Sequence, residues 1–161
     1  MLYIDLTVVG YALYYILPAY VANAMPTLFG GKTLIDLDRR FIDGRPIFGE
    51  HKTIRGFIIG LVAGVAVAFV QGSLIIGSVL TLGALLGDLG GAFIKRRLNF
   101  SPGQPFPILD QLDFIAGAFL LVSLVSAPSL ETIFFITVLT PFLHILTNTC
   151  AYLLRIKDVP W

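Results

Sequence analysis

The chain has 161 residues, 57% of them hydrophobic and only 13% charged, with a mean hydropathy of +0.88. Soluble domains run at about 45–50% apolar and about 25% charged, so a soluble globule is excluded and an integral membrane protein remains. Eleven Lys and Arg against ten Asp and Glu leave a formal +1, which supplies no basic face for nucleic acid and implies no protein partner.

A membrane-crossing helix needs about 20 mostly apolar residues, and five candidate spans follow in chain order. The first covers 6–29 and contains Pro18, Asn23 and Pro26, which predict a kinked or partly unwound C-terminal half. It lacks a basic leader and a small-residue cleavage site, so it reads as a retained anchor. One long charge-free run supplies the second and third spans, 57–70 and 74–94, broken by a tight turn at Gln71-Gly72-Ser73. The fourth covers 110–127, ending at Ala127-Pro128-Ser129, and the fifth covers 130–154. The predicted fold is all-α and polytopic, a single transmembrane domain over 1–161.

All eleven basic residues fall in the connections 30–56 and 95–109 or in the tail from Arg155, which includes Lys157. Basic connections stay on the cytoplasmic side. The expectation is therefore a multi-pass cell-membrane protein with its N-terminus outside, its C-terminus cytoplasmic, and both long loops cytoplasmic. Gly56, Gly60 and Gly64, and again Gly83, Gly87 and Gly91, recur every fourth residue and predict close packing of the second span on the third. The lone Cys150 is expected to be buried and inert. His144, Thr147 and Asn148 in the fifth span are expected to bond across helices.

The acids are the anomaly, because a carboxylate in a span costs about 2.5–3.5 kcal/mol at mid-bilayer depth and less toward the interface. Asp88 ends a long apolar run, and it either pairs with Lys95, two turns on, or serves a metal or proton site. Asp110 and Asp113 share one helical face at i, i+3, a spacing that also suits a plain helix N-terminus. Together with Lys95-Arg96-Arg97, these acids suit Mg²⁺ and a polyphosphate, since Mg²⁺ takes one or two carboxylates plus phosphate oxygens. The segment Phe48-Gly49-Glu50-His51-Lys52-Thr53-Ile54-Arg55-Gly56 offers donors of several kinds between glycines. It suits either a phosphate or anionic lipid headgroups.

The run from Gly87-Asp88-Leu89-Gly90-Gly91 to Lys95-Arg96-Arg97, followed by Pro107-Ile108-Leu109-Asp110-Gln111-Leu112-Asp113, resembles the C-terminal signature of membrane CTP-dependent cytidylyltransferases such as phosphatidate cytidylyltransferase. Gln111 stands where that signature has arginine, and Gln104 to Pro107 replaces its His-Gly-Gly element. With its short length, five spans and the 48–56 segment, the whole chain resembles the CDP-archaeol synthase family. The resemblance implies cytidylyl transfer from CTP to 2,3-di-O-geranylgeranylglyceryl phosphate, an isoprenoid ether lipid, with release of pyrophosphate on the cytoplasmic side. On that reaction Asp88, Asp110 and Asp113 would hold Mg²⁺, and Lys95, Arg96 and Arg97 would neutralise the leaving pyrophosphate. Lys52, Thr53 and Arg55 would contact phosphate or nucleotide. A small cation- or proton-coupled transporter, with Asp88 and His144 as relays, is the alternative.

Overall fold

The computed structural model describes residues 6–156; Lys157, counted above in the basic tail, lies outside the described residues. Five helices follow one another: α1 (Leu6–Phe29), α2 (Ile54–Val70), α3 (Leu74–Arg97), α4 (Leu109–Val122) and α5 (Leu130–Leu153). By length and composition α1, α3 and α5 are long and apolar enough to cross a membrane. At 1.5 Å per residue α2 is about 26 Å long and α4 about 21 Å.

Helix α1 is continuous through both prolines, contrary to the expected unwinding. Pro18 has no N–H for the Tyr14 carbonyl one turn back. The Gln71 side chain fills that place, donating from Nε2 to Tyr14 O at 2.7 Å. The Gln71-Gly72-Ser73 turn forms as predicted, with Gly72 at φ +67°, so the α2–α3 hairpin also repairs α1.

Two boundaries shift at the polar end of the bundle. Helix α2 starts three residues before the expected 57, because Thr53 is extended and its hydroxyl accepts from Gly56 N, an N-cap. Helix α3 runs on through Lys95, Arg96 and Arg97, three cations that suit the negative end of a helix. The fourth helix stops at Val122, short of the expected 127. Ser123 Oγ donates to Phe119 O, and Leu124 and Val125 donate only three residues back, a tightening that ends a helix.

The first glycine stripe packs on the expected third span and on α1 as well. Gly56, Gly60 and Gly64 lie against Pro26, Ala22 and Pro18 of α1, and Gly60 and Gly64 also against Leu85 and Thr81 of α3. Gly83, Gly87 and Gly91 instead face α4, where Gly117 and Asp113 meet them. Helices α3 and α4 are the most extensively packed pair. The core between α1, α3, α4 and α5 holds Ile16, Ala19, Leu80, Ala84, Ile115 and Ile136. Outward faces carry Ile58, Val62, Phe69, Leu120, Phe134 and Phe142 exposed, a distribution suited to an apolar solvent. Cys150, expected to be buried, is exposed on α5, on a side that no other helix covers. His144 and Asn148 bond to each other along α5, ring Nδ1 to amide Nδ2 at 3.1 Å, and Thr147 bonds back to Leu143 O.

Residues 30–53 form an ordered loop over the ends of α2 and α3. Isolated antiparallel bridges Leu34↔Thr53 and Arg40↔Pro46 fold it, and the buried Asp36 carboxylate accepts from Asp38 N and Phe48 N at 3.1 and 3.0 Å.

Candidate active site

Because α3 and α4 run antiparallel, the C-terminus of one meets the N-terminus of the other, and the predicted acids gather there. Lys52 reaches over from the first loop and places Nζ 2.6 Å from both Oδ1 and Oδ2 of Asp88. Lys95 does the same for Asp110 at 2.8 and 2.9 Å. Asp88 thus has a partner, but from the loop and not from its own helix. The Asp113 carboxylate lies against Gly91, where a Cβ would overlap it, and within electrostatic reach of Asp88, Lys52 and Asp110. Its one hydrogen bond among the described residues comes from Phe114 N at 2.6 Å. Three carboxylates and two ammoniums form one cluster on the α3–α4 seam.

Asp110 is held before it meets Lys95. Phe106 N donates to its Oδ2 at 2.9 Å, while its own N–H returns to Phe106 O at 3.1 Å. The preceding Ile108 sits at φ +73°, ψ −54°, with Leu109 N bonded to Pro107 O at 2.9 Å. That is a γ-turn of the rare positive-φ kind, strained for a β-branched residue. The proline-rich stretch 101–107 is therefore a rigid lead-in that delivers Asp110, as its sequence suggests.

The arginines part company. Arg96 is 6% exposed and donates from Nη2 to Ser101 O at 3.2 Å. Its Nε and Nη1 are buried with no partner among the described residues, and a Cβ at Gly49 (φ +98°) would sit 3.6 Å from Nη1. A buried guanidinium with spare donors is an anion site in waiting. Arg97 has the same two nitrogens buried without a hydrogen-bond partner among the described residues, but its remaining contacts hold the first loop. It lies 4.9 and 4.7 Å from the ring centroids of Phe41 and Phe93 and donates from Nη2 to Pro46 O at 2.6 Å. Its Nε lies 3.0 Å from Asp43 Oδ2 without hydrogen-bond alignment, an ion pair only. Arg45 Nη1 caps the α3 C-terminus on Arg97 O at 2.5 Å and Arg96 O at 3.3 Å.

Two residues expected at the nucleotide lie outside the acid–lysine cluster. Thr53 is buried, its hydroxyl accepting from Gly56 N and Gly31 N at 3.2 and 3.1 Å; that is structural work. Arg55 is exposed on the outer side of α2, beside Gly31, Lys32 and Ile58, while Lys52 turns inward. Sequence reasoning passed over Asp36 and Arg45, which shape the loop that delivers Lys52. The signal for Asp36 was the Asp-Leu-Asp run, a side chain two residues from the N–H it accepts.

Oxygen donors of this kind suit a hard divalent cation. Among the described residues no three acids or imidazoles converge as a ready-made metal cage. Asp110 is held by both Lys95 and Phe106 N, whereas Asp88 is held by Lys52 alone and Asp113 by no ammonium, so Asp88 and Asp113 have the least to give up to a shared ion. Two carboxylates completed by phosphate oxygens is the arrangement that Mg²⁺ favours, so the residues fit the ion on that basis.

The family model described as CarS-like, CDP-archaeol synthase, matches residues 4–161. The CDP-archaeol synthase of Thermofilum pendens is 45% identical, with 95% of this chain and 81% of the relative covered. That of Methanocaldococcus jannaschii is 44% identical, with 93% and 96% covered. The structure of an intramembrane enzyme for archaeal membrane lipids biosynthesis is similar at a TM-score of 0.81 and 34% identity, with 87% of this chain and 94% of that one covered. The transporter reading has no support among these relatives. Matched over nearly its whole length in family model and relatives alike, the chain belongs to the CDP-archaeol synthase family.

Proposed function

We propose that the α3–α4 seam transfers the cytidylyl group of CTP to 2,3-di-O-geranylgeranylglyceryl phosphate, yielding the CDP-activated ether lipid and pyrophosphate. The observation that carries the reading is the cluster of Asp88, Asp110 and Asp113 with Lys52 and Lys95, beside the spare donors of Arg96. An oxygen of the lipid phosphate attacks the α-phosphorus of CTP; the bond from that phosphorus to the bridging oxygen breaks, and pyrophosphate leaves. The lipid phosphate is already anionic near neutral pH, its second pKa lying near 6, so no general base is required. Positioning and charge stabilisation are the catalytic tasks. Lys52 and Lys95 lie where they neutralise the triphosphate, and Arg96 offers Nε and Nη1 to the departing pyrophosphate. Arg97 holds the loop that carries Lys52. Mg²⁺, held by Asp88 and Asp113 with substrate phosphates, would add electrostatic stabilisation of the transferring phosphoryl oxygens.

On this reading all five helices are spans, the N-terminus outside and the site facing the cytoplasm. Every described basic residue lies in or beside the connections at the site's end of the bundle, which the distribution of Lys and Arg makes cytoplasmic. The test is pyrophosphate release by purified protein in detergent with each of the four NTPs, with and without Mg²⁺ and a geranylgeranylated glycerol phosphate. Release is expected only with CTP, Mg²⁺ and lipid together. Release without the lipid, or none by folded protein, overturns the proposal.

A further inference from the structure

The grip of Lys52 on Asp88 is symmetrical, with Nζ 2.6 Å from each carboxylate oxygen. The ammonium thus covers the oxygens that a divalent ion would need. Both groups are only about a quarter exposed, so the pair is sheltered from screening. Lys95 covers Asp110 in the same way, leaving Asp113 as the acid of the cluster without an ammonium on it. A divalent ion entering alone would have to break the Lys52–Asp88 pair and would then sit near two ammoniums, the displaced one with no new anion to hold. A polyphosphate reverses that balance, because it gives the released ammonium an anion to hold.

From this geometry we infer that Lys52 is the resident counter-cation of Asp88, and that the site takes up its divalent ion only together with a polyphosphate. The inference rests on the metal–nucleotide reading above and adds an order of events and a residue that enforces it. Lys52 moves a short distance from carboxylate to phosphate, so the same charge guards the empty site and neutralises substrate in the filled one. Linkage makes the coupling reciprocal: the factor by which nucleotide tightens the ion is the factor by which the ion tightens nucleotide.

The experiment is Mn²⁺ binding, read from the EPR signal of free Mn²⁺, to detergent-purified protein with and without the α,β-methylene analogue of CTP. Wild-type protein is expected to bind Mn²⁺ weakly alone and far more tightly with the analogue. Lys52→Met, which keeps the chain and removes the charge, is expected to tighten Mn²⁺ binding without nucleotide by about 10- to 100-fold, the scale of a charge-assisted hydrogen bond, and to shrink the gain from the analogue. Lys52→Arg keeps the charge and is expected to bind Mn²⁺ alone as weakly as wild type. Tight binding to wild type without nucleotide overturns the inference whatever the variants do. Unchanged or weaker Mn²⁺ binding in folded Lys52→Met, or a gain in Lys52→Arg equal to that in Lys52→Met, overturns it while leaving the metal–nucleotide reading standing. Absence of Mn²⁺ binding to wild type even with the analogue overturns both.

Discussion

Three glycines within five residues of α3 meet different surroundings, and alanine at each should therefore do something different. A Cβ at Gly90 meets nothing within 4 Å, so alanine there brings only its helix preference, about 0.8–1.0 kcal/mol of stabilisation. A Cβ at Gly87 meets the backbone of α4: Asp113 O, with Gly117 Cα and Phe114 Cα each at 3.0 Å. None of these atoms can rotate away, so the helices must part. Overpacking of this kind costs about 1–3 kcal/mol, which cancels or outweighs the same helix gain. At about 2–4 °C per kcal/mol for a chain of this size, Gly90→Ala should melt several degrees above Gly87→Ala in one detergent by thermal unfolding. At Gly91 the obstacle is the Asp113 side chain, with its Cβ and Cγ 2.7 Å from the added carbon. Gly91→Ala must displace the carboxylate, and turnover by pyrophosphate release should fall at least about tenfold, the effect of misplacing a catalytic group. If Gly87→Ala melts at or above Gly90→Ala, the close approach of α3 to α4 does not limit stability and the reasoning fails.

Asp88→Asn should lower turnover by about 10²–10³-fold, the scale of losing a preorganised electrostatic group, with the protein still inserted in the membrane; near-wild-type pyrophosphate release would remove Asp88 from the reaction. Gln71→Ala leaves the Tyr14 carbonyl unpaired at the Pro18 step and should cost about 0.5–1.5 kcal/mol, read as a lowered melting temperature at unchanged activity per folded molecule. Arg97→Lys gives up the planar contact with Phe41 and Phe93 and the alignment to Pro46 O. Lysine does not replace a stacked guanidinium, so limited proteolysis within residues 36–46 should accelerate severalfold; an unchanged cleavage rate would deny Arg97 its role in holding that loop.

What the sequence made legible follows from what apolar residues and charges can each report. Charge-free runs located all five helices, and the C-terminal limit of α1 matched because the apolar run gives way there to Gly30-Gly31-Lys32. The acids stood out because carboxylates are costly in such a chain, and the structure brings Asp88, Asp110 and Asp113 to one seam. Pairing was another matter. Helical spacing suggested Lys95 for Asp88, whereas the ammonium comes from Lys52, 36 residues upstream, on a loop whose path depends on Asp36, Arg45 and Arg97. Small residues at every fourth position announced a close contact but not its partner, since the spacing fixes the face of a helix and says nothing of what covers it. Thr53 and Arg55 were grouped with Lys52 by adjacency. An N-cap turns its neighbours to different sides, so three polar residues within four positions took three fates.

The glycines and the acids answer to one geometry. Going down α3 in steps of one turn, Lys95 faces Asp110, Gly91 the Asp113 carboxylate, Gly87 the α4 backbone at Asp113, Phe114 and Gly117, and Gly83 the backbone at Gly117 and Ala118. The two upper steps are charged and the two lower ones bare, so the backbone approach below sets the separation at which the charges above must meet. The helix ends add to this, since cations sit at the negative C-terminus of α3 and acids at the positive N-terminus of α4. Lengthening the separation by one methyl group low on the seam should therefore be felt as chemistry at its top. Gly83→Ala, which meets Gly117 O and Ala118 Cα at 2.6 and 2.7 Å three turns from Lys95, should lower turnover per folded molecule although it touches no charged group. Unaltered turnover in folded Gly83→Ala protein would mean that the charged end keeps its own spacing, held by the Lys95–Asp110 bridge alone.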